Sequence, residues 1–366
     1  MARHALSLRG GRRDLARGRR DLAGSRRVPI LMAGRPLAGG LATVAALALV
    51  AALASCSSSG SSAGTTVDTT GSASSSDAPA ATTTTTPTAG TATTAAAGAG
   101  ARFYVSLGDS YAAGYQPGQG STTDGFAYQL VDEAGAQQHP LELANFACSG
   151  ATTTSVLNDV GCPNVALGVG AAPYDSQTQI EAAEAFLQTH PGQVDLITVS
   201  IGGNDVTRCA QQSDPVPCVT NAVSEVSTNL TTIVQRLRAA AGPDVLIVGT
   251  TYPDVLLGSW VSGDPSDQQL ATLSVTAFKS LINPTLQKAY ESVGGQFVDV
   301  TAASGAYGSM TDTTTVDPYG VIPVPVAQVC DLTYYCALHD IHPNADGYKL
   351  IADLVLQAYL ASPQAG

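Results

Sequence analysis

Phe103-Tyr104-Val105-Ser106-Leu107-Gly108-Asp109-Ser110-Tyr111 decides how the rest of this chain is read. The run ending in Val105 and Leu107 predicts a short buried strand, and Gly108 breaks it. Asp109 and Ser110 then fall where a following helix needs a cap. A serine at such a strand-to-helix turn is exposed at the carboxyl edge of a sheet, where backbone N–H groups can face a developing negative charge. Taken alone, Asp109-Ser110 would merely cap a helix; later segments give it chemistry.

Outward from that turn the pattern is globular from Arg102 onward. Strand-like runs occupy 103–107, 141–146, 194–201, 245–250 and 296–300, alternating with helical patterns at about 126–134, 177–189, 219–241, 266–292 and 345–361. Val223, Val226, Leu230, Ile233, Val234 and Leu237 recur at helical spacing, the stripe of a helix packed on a sheet. Pro284 should kink or split the fourth helix. Strands alternating with helices predict a parallel sheet covered on both faces, a three-layer α/β/α domain over 102–366. The region 303–329, rich in Gly, Thr and Pro, reads as a long loop. With residues 252–260 it could either wall a pocket or simply pack beneath that loop.

Upstream, residues 1–55 read as a signal region. Within it Met32 is the expected true start, followed by Arg35, an apolar core from Leu41 to Leu53, and Leu53-Ala54-Ser55-Cys56. The small residues ending in cysteine resemble a bacterial lipoprotein lipobox, which implies a lipidated Cys56. Residues 56–101 are almost wholly Ser, Thr, Ala and Gly with scattered Pro, and predict a disordered tether with a reach of roughly 40 Å.

Ten of the 17 basic residues and two of the 29 acids precede Cys56. That leaves 7 basic against 27 acidic residues from Cys56 onward, a formal charge of −20. Such a surface repels phosphate backbones, so no nucleic-acid partner is expected. With Cys56 set aside, six cysteines remain in close pairs: Cys148 with Cys162, Cys209 with Cys218, and Cys330 with Cys336. Each pair brackets one loop, and export permits oxidation, so three local disulfides are expected. No Cys-x-x-Cys occurs, and neither a metal nor a cofactor is expected.

Three further segments should leave the sheet's carboxyl edge or precede the last helix: Asn145-Phe146-Ala147-Cys148-Ser149-Gly150-Ala151-Thr152, Ser200-Ile201-Gly202-Gly203-Asn204-Asp205, and His339-Asp340-Ile341-His342-Pro343-Asn344. At that edge of an open α/β sheet, loops converge on one crevice. With Gly108-Asp109-Ser110, these segments resemble the four blocks of the SGNH (GDSL-type) hydrolase family, in its order. The Cys-Ser-Gly-Ala-Thr phrasing and short cysteine loops look most like secreted actinobacterial esterases and lipases of that family. The resemblance implies a flavodoxin-like fold, Ser110 as nucleophile and His342 as general base. It also implies an oxyanion hole from the Ser110 N–H, the Gly150 N–H and the Asn204 amide. Chemistry agrees, because a serine hydroxyl needs a base within hydrogen-bond reach, and histidine titrates near neutrality.

Two positions depart from the family pattern. Tyr111 replaces the eponymous Leu and reads as a harmless variation. The family's acid usually lies three residues before the histidine; here that position is His339, and Asp340 lies two before. Either Asp340 reaches His342 through a shifted loop, the His339 carbonyl orients it, or the His339 side chain does. The favoured expectation is a Ser–His dyad held by the His339 carbonyl, with Asp340 next. The expected function is an exported, lipid-anchored, monomeric serine ester hydrolase acting on a small-molecule, lipid or glycan ester. An acyltransferase sharing the acyl-enzyme, or a non-catalytic binding lipoprotein on the same fold, are the alternatives.

Overall fold

Contiguous apolar runs become the sheet, because a parallel strand buried on both faces has no polar face to alternate with. The computed structural model describes residues 100–211 and 215–366; the signal region, Cys56 and the tether through residue 99 lie outside the described residues. The strands are β1 (Phe103–Gly108), β2 (Glu142–Asn145), β3 (Val194–Ser200), β4 (Leu246–Thr250) and β5 (Gln296–Val298), in spatial order β2-β1-β3-β4-β5. Every neighbouring pair in this sheet is parallel. The expected run to Val300 stops at Val298, because the Asp299 carboxylate accepts from the Ala302 N–H (2.8 Å) and starts a helical turn instead. The chain steps from β1 to β2 on one side and later to β3 on the other. The order therefore reverses beside β1, which opens a crevice at its carboxyl end.

Side-chain alternation builds the other two layers. Phe103, Val105, Leu107, Ile197, Val199 and Ile247 share one core with Ile180, Val226, Leu230, Ile233, Leu237 and Leu286. Those partners lie on α2 (Gln179–Thr189), α3 (Pro215–Ala241) and α5 (Asn283–Glu291). Tyr104, Leu196, Leu246 and Val248 share the opposite core with α1 (Phe126–Ala136) and α7 (Ala345–Leu360), through Phe126, Leu130, Tyr348, Ile351 and Val355. The three-layer α/β/α expectation is met.

The helix expected over 266–292 is divided ahead of Pro284, as anticipated. Pro284 stands at the start of α5, and a π-helical turn over Phe278–Ile282 joins α5 to α4 (Pro265–Ala277). Widening the turn before the proline accommodates its missing N–H and its ring. The stretch read as a long loop is structured. It holds an antiparallel hairpin, β6 (Thr313–Val316) with β7 (Gly320–Pro323), and then α6 (Val324–Leu332). Leu257, Ala271, Ile322, Val326 and Val329 form a satellite core there, with Trp260, Tyr307 and Met310 packed against it. The region from 252 to 260 and the hairpin segment thus pack on each other.

The six cysteines join as expected, Cys148–Cys162, Cys209–Cys218 and Cys330–Cys336. Among the described residues no helix is long and apolar enough to cross a membrane.

Candidate active site

Ser110 opens a one-turn helix, Ser110–Ala113, at the carboxyl end of β1. Asp109 caps that turn, its Oδ1 accepting from the Tyr111 N–H at 2.9 Å. Gly108 makes the turn possible. Its φ is +144°, and a Cβ there would lie 2.1 Å from the Ser200 carbonyl oxygen on β3. With no side chain in the way, the Asp109 N–H donates to that carbonyl (3.1 Å). The Gln179 amide brackets the same peptide, accepting from the Gly108 N–H (2.9 Å) and donating to its carbonyl (3.0 Å). The Cys148 N–H also donates to the Gly108 carbonyl (3.0 Å), which draws the loop after β2 against the serine turn.

His342 faces the serine. Its Nε2 lies 2.8 Å from Ser110 Oγ, and its Nδ1 lies 2.6 Å from Asp340 Oδ1. The same Asp340 oxygen accepts from the His342 backbone N–H (3.0 Å). The geometry therefore differs from the favoured dyad expectation: the Asp340 carboxylate, not the His339 carbonyl, stands at Nδ1. The reason is local. His339 ends the turn Tyr335–Leu338 in the left-handed conformation, φ +54°, and this re-aims the chain so that a residue two positions before the histidine reaches its ring. The His339 side chain points elsewhere, edge-on to Tyr335 at 5.9 Å. Burial lowers the His342 pKa, and the hydrogen bond and charge of Asp340 partly oppose it. Burial thus favours the neutral imidazole, the form able to accept a proton.

Tyr111 is more than a replacement for leucine. Its hydroxyl donates to the Ile341 carbonyl at 2.5 Å, between Asp340 and His342. The Tyr115 ring packs against the His342 ring at 4.4 Å. Asn344 caps α7, accepting from the Gly347 N–H (2.9 Å), and so fixes the other end of the histidine loop.

Two of the three expected oxyanion donors, Gly150 and Asn204, lie on loops that are tied to each other. Asn204 follows β3 and donates one amide hydrogen to the Ala151 carbonyl (2.9 Å), one residue past the exposed Gly150. Gly150 has φ +87°, with open space where a Cβ would lie. Next to Asn204, the buried Asp205 carboxylate accepts from the Thr153 N–H (3.0 Å to Oδ2) and Thr153 hydroxyl (2.6 Å to Oδ1), locking the same two loops together. Sequence reasoning did not find Gln179, Tyr115, Asp205 or Tyr252. Each acts across 49 or more residues of chain, where periodicity carries no signal.

An open groove of about 640 Å³ is walled by Gln119–Ser121 and by residues between 164 and 173. One wall begins four residues after Tyr115. The other hangs from the loop of Gly150, because the Ser149 N–H donates to the Ala166 carbonyl (2.8 Å). Its lining includes Val165, Leu167, Val169, Ala171 and Pro173 and no charged side chain. Val165 is 89% exposed and Val169 44%.

Comparison with known proteins bears on this arrangement. Among curated proteins none matches the chain. Solved structures to which the chain shows similarity include a psychrotrophic esterase, EstA, from Pseudoalteromonas sp. It is 16% identical over 70% of this chain and 95% of its own, with a TM-score of 0.37. A member of the lipolytic protein G-D-S-L family from Veillonella parvula is 12% identical over 71% and 100%, TM-score 0.39. A putative lipolytic protein of that family from Desulfitobacterium hafniense is 13% identical over 69% and 97%, TM-score 0.36. The profile of the GDSL-like Lipase/Acylhydrolase family matches residues 106–350, from within β1 into the last helix. With all four motif loops inside that span, the chain belongs to the GDSL-like lipase/acylhydrolase family, the SGNH hydrolases.

Proposed function

We propose that this protein is an extracytoplasmic serine hydrolase of carboxylic esters, working through an acyl-enzyme on Ser110. The observation that carries the reading is the unbroken chain Ser110 Oγ, His342 Nε2, His342 Nδ1, Asp340 Oδ1 at 2.8 and 2.6 Å. His342, neutral at Nε2, takes the hydroxyl proton as Oγ attacks the ester carbonyl. Asp340 accepts a hydrogen bond from the Nδ1–H, keeps the working tautomer, and stabilises the imidazolium that forms. The Ser110 and Gly150 N–H groups and the free Asn204 amide hydrogen serve as donors to the tetrahedral oxyanion. Loss of one such donor typically costs about 100- to 1000-fold in kcat. Collapse expels the alcohol, which His342 protonates. Water, activated by the same base, then attacks the acyl-enzyme and releases the acid and Ser110.

The apolar side chains lining the groove favour an ester whose acyl or alcohol arm is apolar, since such an arm would cover them from water. Three disulfides suit an oxidising compartment, and the lipobox-like Cys56 supports a lipid anchor outside the cell membrane.

Labelling with a phosphonate ester tests the catalytic assignment. The reagent should add stoichiometrically to the tryptic peptide containing Ser110, and Ser110→Ala should take up none while losing at least about 1000-fold in kcat. Modification of another residue, or hydrolysis surviving in Ser110→Ala, refutes it.

A further inference from the structure

Tyr252 lies just past β4, and its ring is buried between the serine turn and the Asn204 loop. Its backbone carbonyl accepts from the Thr301 hydroxyl (2.7 Å), and the Tyr111 ring meets it edge-on with centroids 4.8 Å apart. The side chain is thereby held at both ends. The hydroxyl donates to Asp109 Oδ2 at 2.7 Å and accepts from the Gly203 N–H at 3.1 Å. Asp109 is the residue before Ser110, and Gly203 the residue before Asn204. A Cβ on Gly203 would lie 3.0 Å from the Tyr252 ring, so backbone and ring are in close approach. Asp109 and Tyr252 have little alternative. Both are buried, and the other Asp109 oxygen is taken by the Tyr111 N–H.

These contacts form one line through the site. It runs from the residue before the nucleophile, through the Tyr252 hydroxyl, to the residue before Asn204. From the Asn204 amide it passes to Ala151, the residue after Gly150. We propose that Tyr252 is a positioning residue whose hydroxyl sets the separation between Ser110 and the Asn204 oxyanion donor. A phenol suits this place because it donates to the carboxylate on one side and accepts from the amide on the other. A water could make the same bonds, but the ring adds a rigid attachment to the β4 edge. Burial outweighs the opposing Tyr252 hydrogen bond and leaves the Asp109 pKa raised to about 7.

An ordinary core tyrosine would support the fold and nothing more. The two roles separate in a double-mutant cycle with Tyr252→Phe and Asn204→Ala, using p-nitrophenyl acetate as substrate. The inference rests on the ester-hydrolase reading. Tyr252→Phe should lose about 10- to 100-fold in kcat with KM within about twofold, since the misplaced donor meets charge only in the transition state. In the Asn204→Ala background the same change should cost less than about threefold, because the group it positions is gone. Placing 4-aminophenylalanine at 252, which restores a donor on the ring, should recover most of kcat; this variant also serves if Tyr252→Phe does not fold. Losses that multiply in the double variant overturn the inference, as does a Tyr252→Phe enzyme within twofold of wild type or a lack of recovery with the amine. Those outcomes leave the hydrolase reading standing so long as Ser110→Ala is inactive.

Discussion

Asp340→Asn is the substitution that bears most directly on how His342 works. One Asp340 oxygen accepts from both the His342 N–H (3.0 Å) and the ring Nδ1 (2.6 Å). An asparagine can keep its carbonyl oxygen in that place, so the tautomer survives and the loss is one of charge. An ion pair separated by about 4 Å is worth about 4 kcal/mol at an effective dielectric of 20 and about 1 kcal/mol in water. The Asp340 side chain is 27% exposed and that of His342 13%, which puts the pair between those limits and nearer the first. At about 1.36 kcal/mol per decade, kcat should fall about 100- to 1000-fold. That is less than the roughly 10⁴-fold loss on replacing the deeply buried aspartate of a serine-protease triad. The pH profile carries an independent sign. Asp340 raises the His342 pKa against the lowering effect of burial. Removing its charge should move the acid limb of kcat/KM to lower pH. Stopped-flow or steady-state hydrolysis of p-nitrophenyl acetate between pH 4 and 9 measures both. A kcat within threefold of wild type, or an acid limb displaced upward, would falsify the reasoning and return the orienting role to the His339 carbonyl.

Val165→Glu, at the rim of the uncharged groove, should lower kcat/KM for an octanoate nitrophenyl ester about tenfold or more. Acetate ester hydrolysis should change less than twofold, and an equal fall for both chain lengths removes the groove from substrate binding. Gly108→Ala drives a methyl group into the Ser200 carbonyl in a backbone region that only glycine adopts freely. It should destabilise by at least about 3 kcal/mol and lower Tm by about 6–12 °C. An unchanged melting curve would mean that β1 and β3 can part at no cost.

Much of this architecture is written in one-dimensional pattern. Tyr104 to Leu107, Leu196 to Val199 and Leu246 to Val248 are legible as strands because both faces are buried. The carboxyl ends of the first two lead to Ser110 and Asn204 in recognisable phrases, and Gly150 follows the more exposed β2. The position of Asp340 was not legible, because it depends on a left-handed His339 that no local preference demands. Tyr252 lay in a segment whose apolar character pointed to packing, and packing is indeed what its neighbours Leu257 and Trp260 do. Its hydroxyl reaches Asp109 across 143 residues of chain. The hairpin over 313–323 escaped notice because the Thr residues of its first strand are exposed, leaving no apolar alternation to read.

The three disulfides have sequence separations of 14, 9 and 6 residues, and each lies in or beside a different site loop. Cys148 stands two residues before Gly150, Cys209 five after Asn204, and Cys336 six before His342. None of them fastens one layer of the domain to another. The covalent reinforcement is therefore spent on the rim and leaves the scaffold to its own packing.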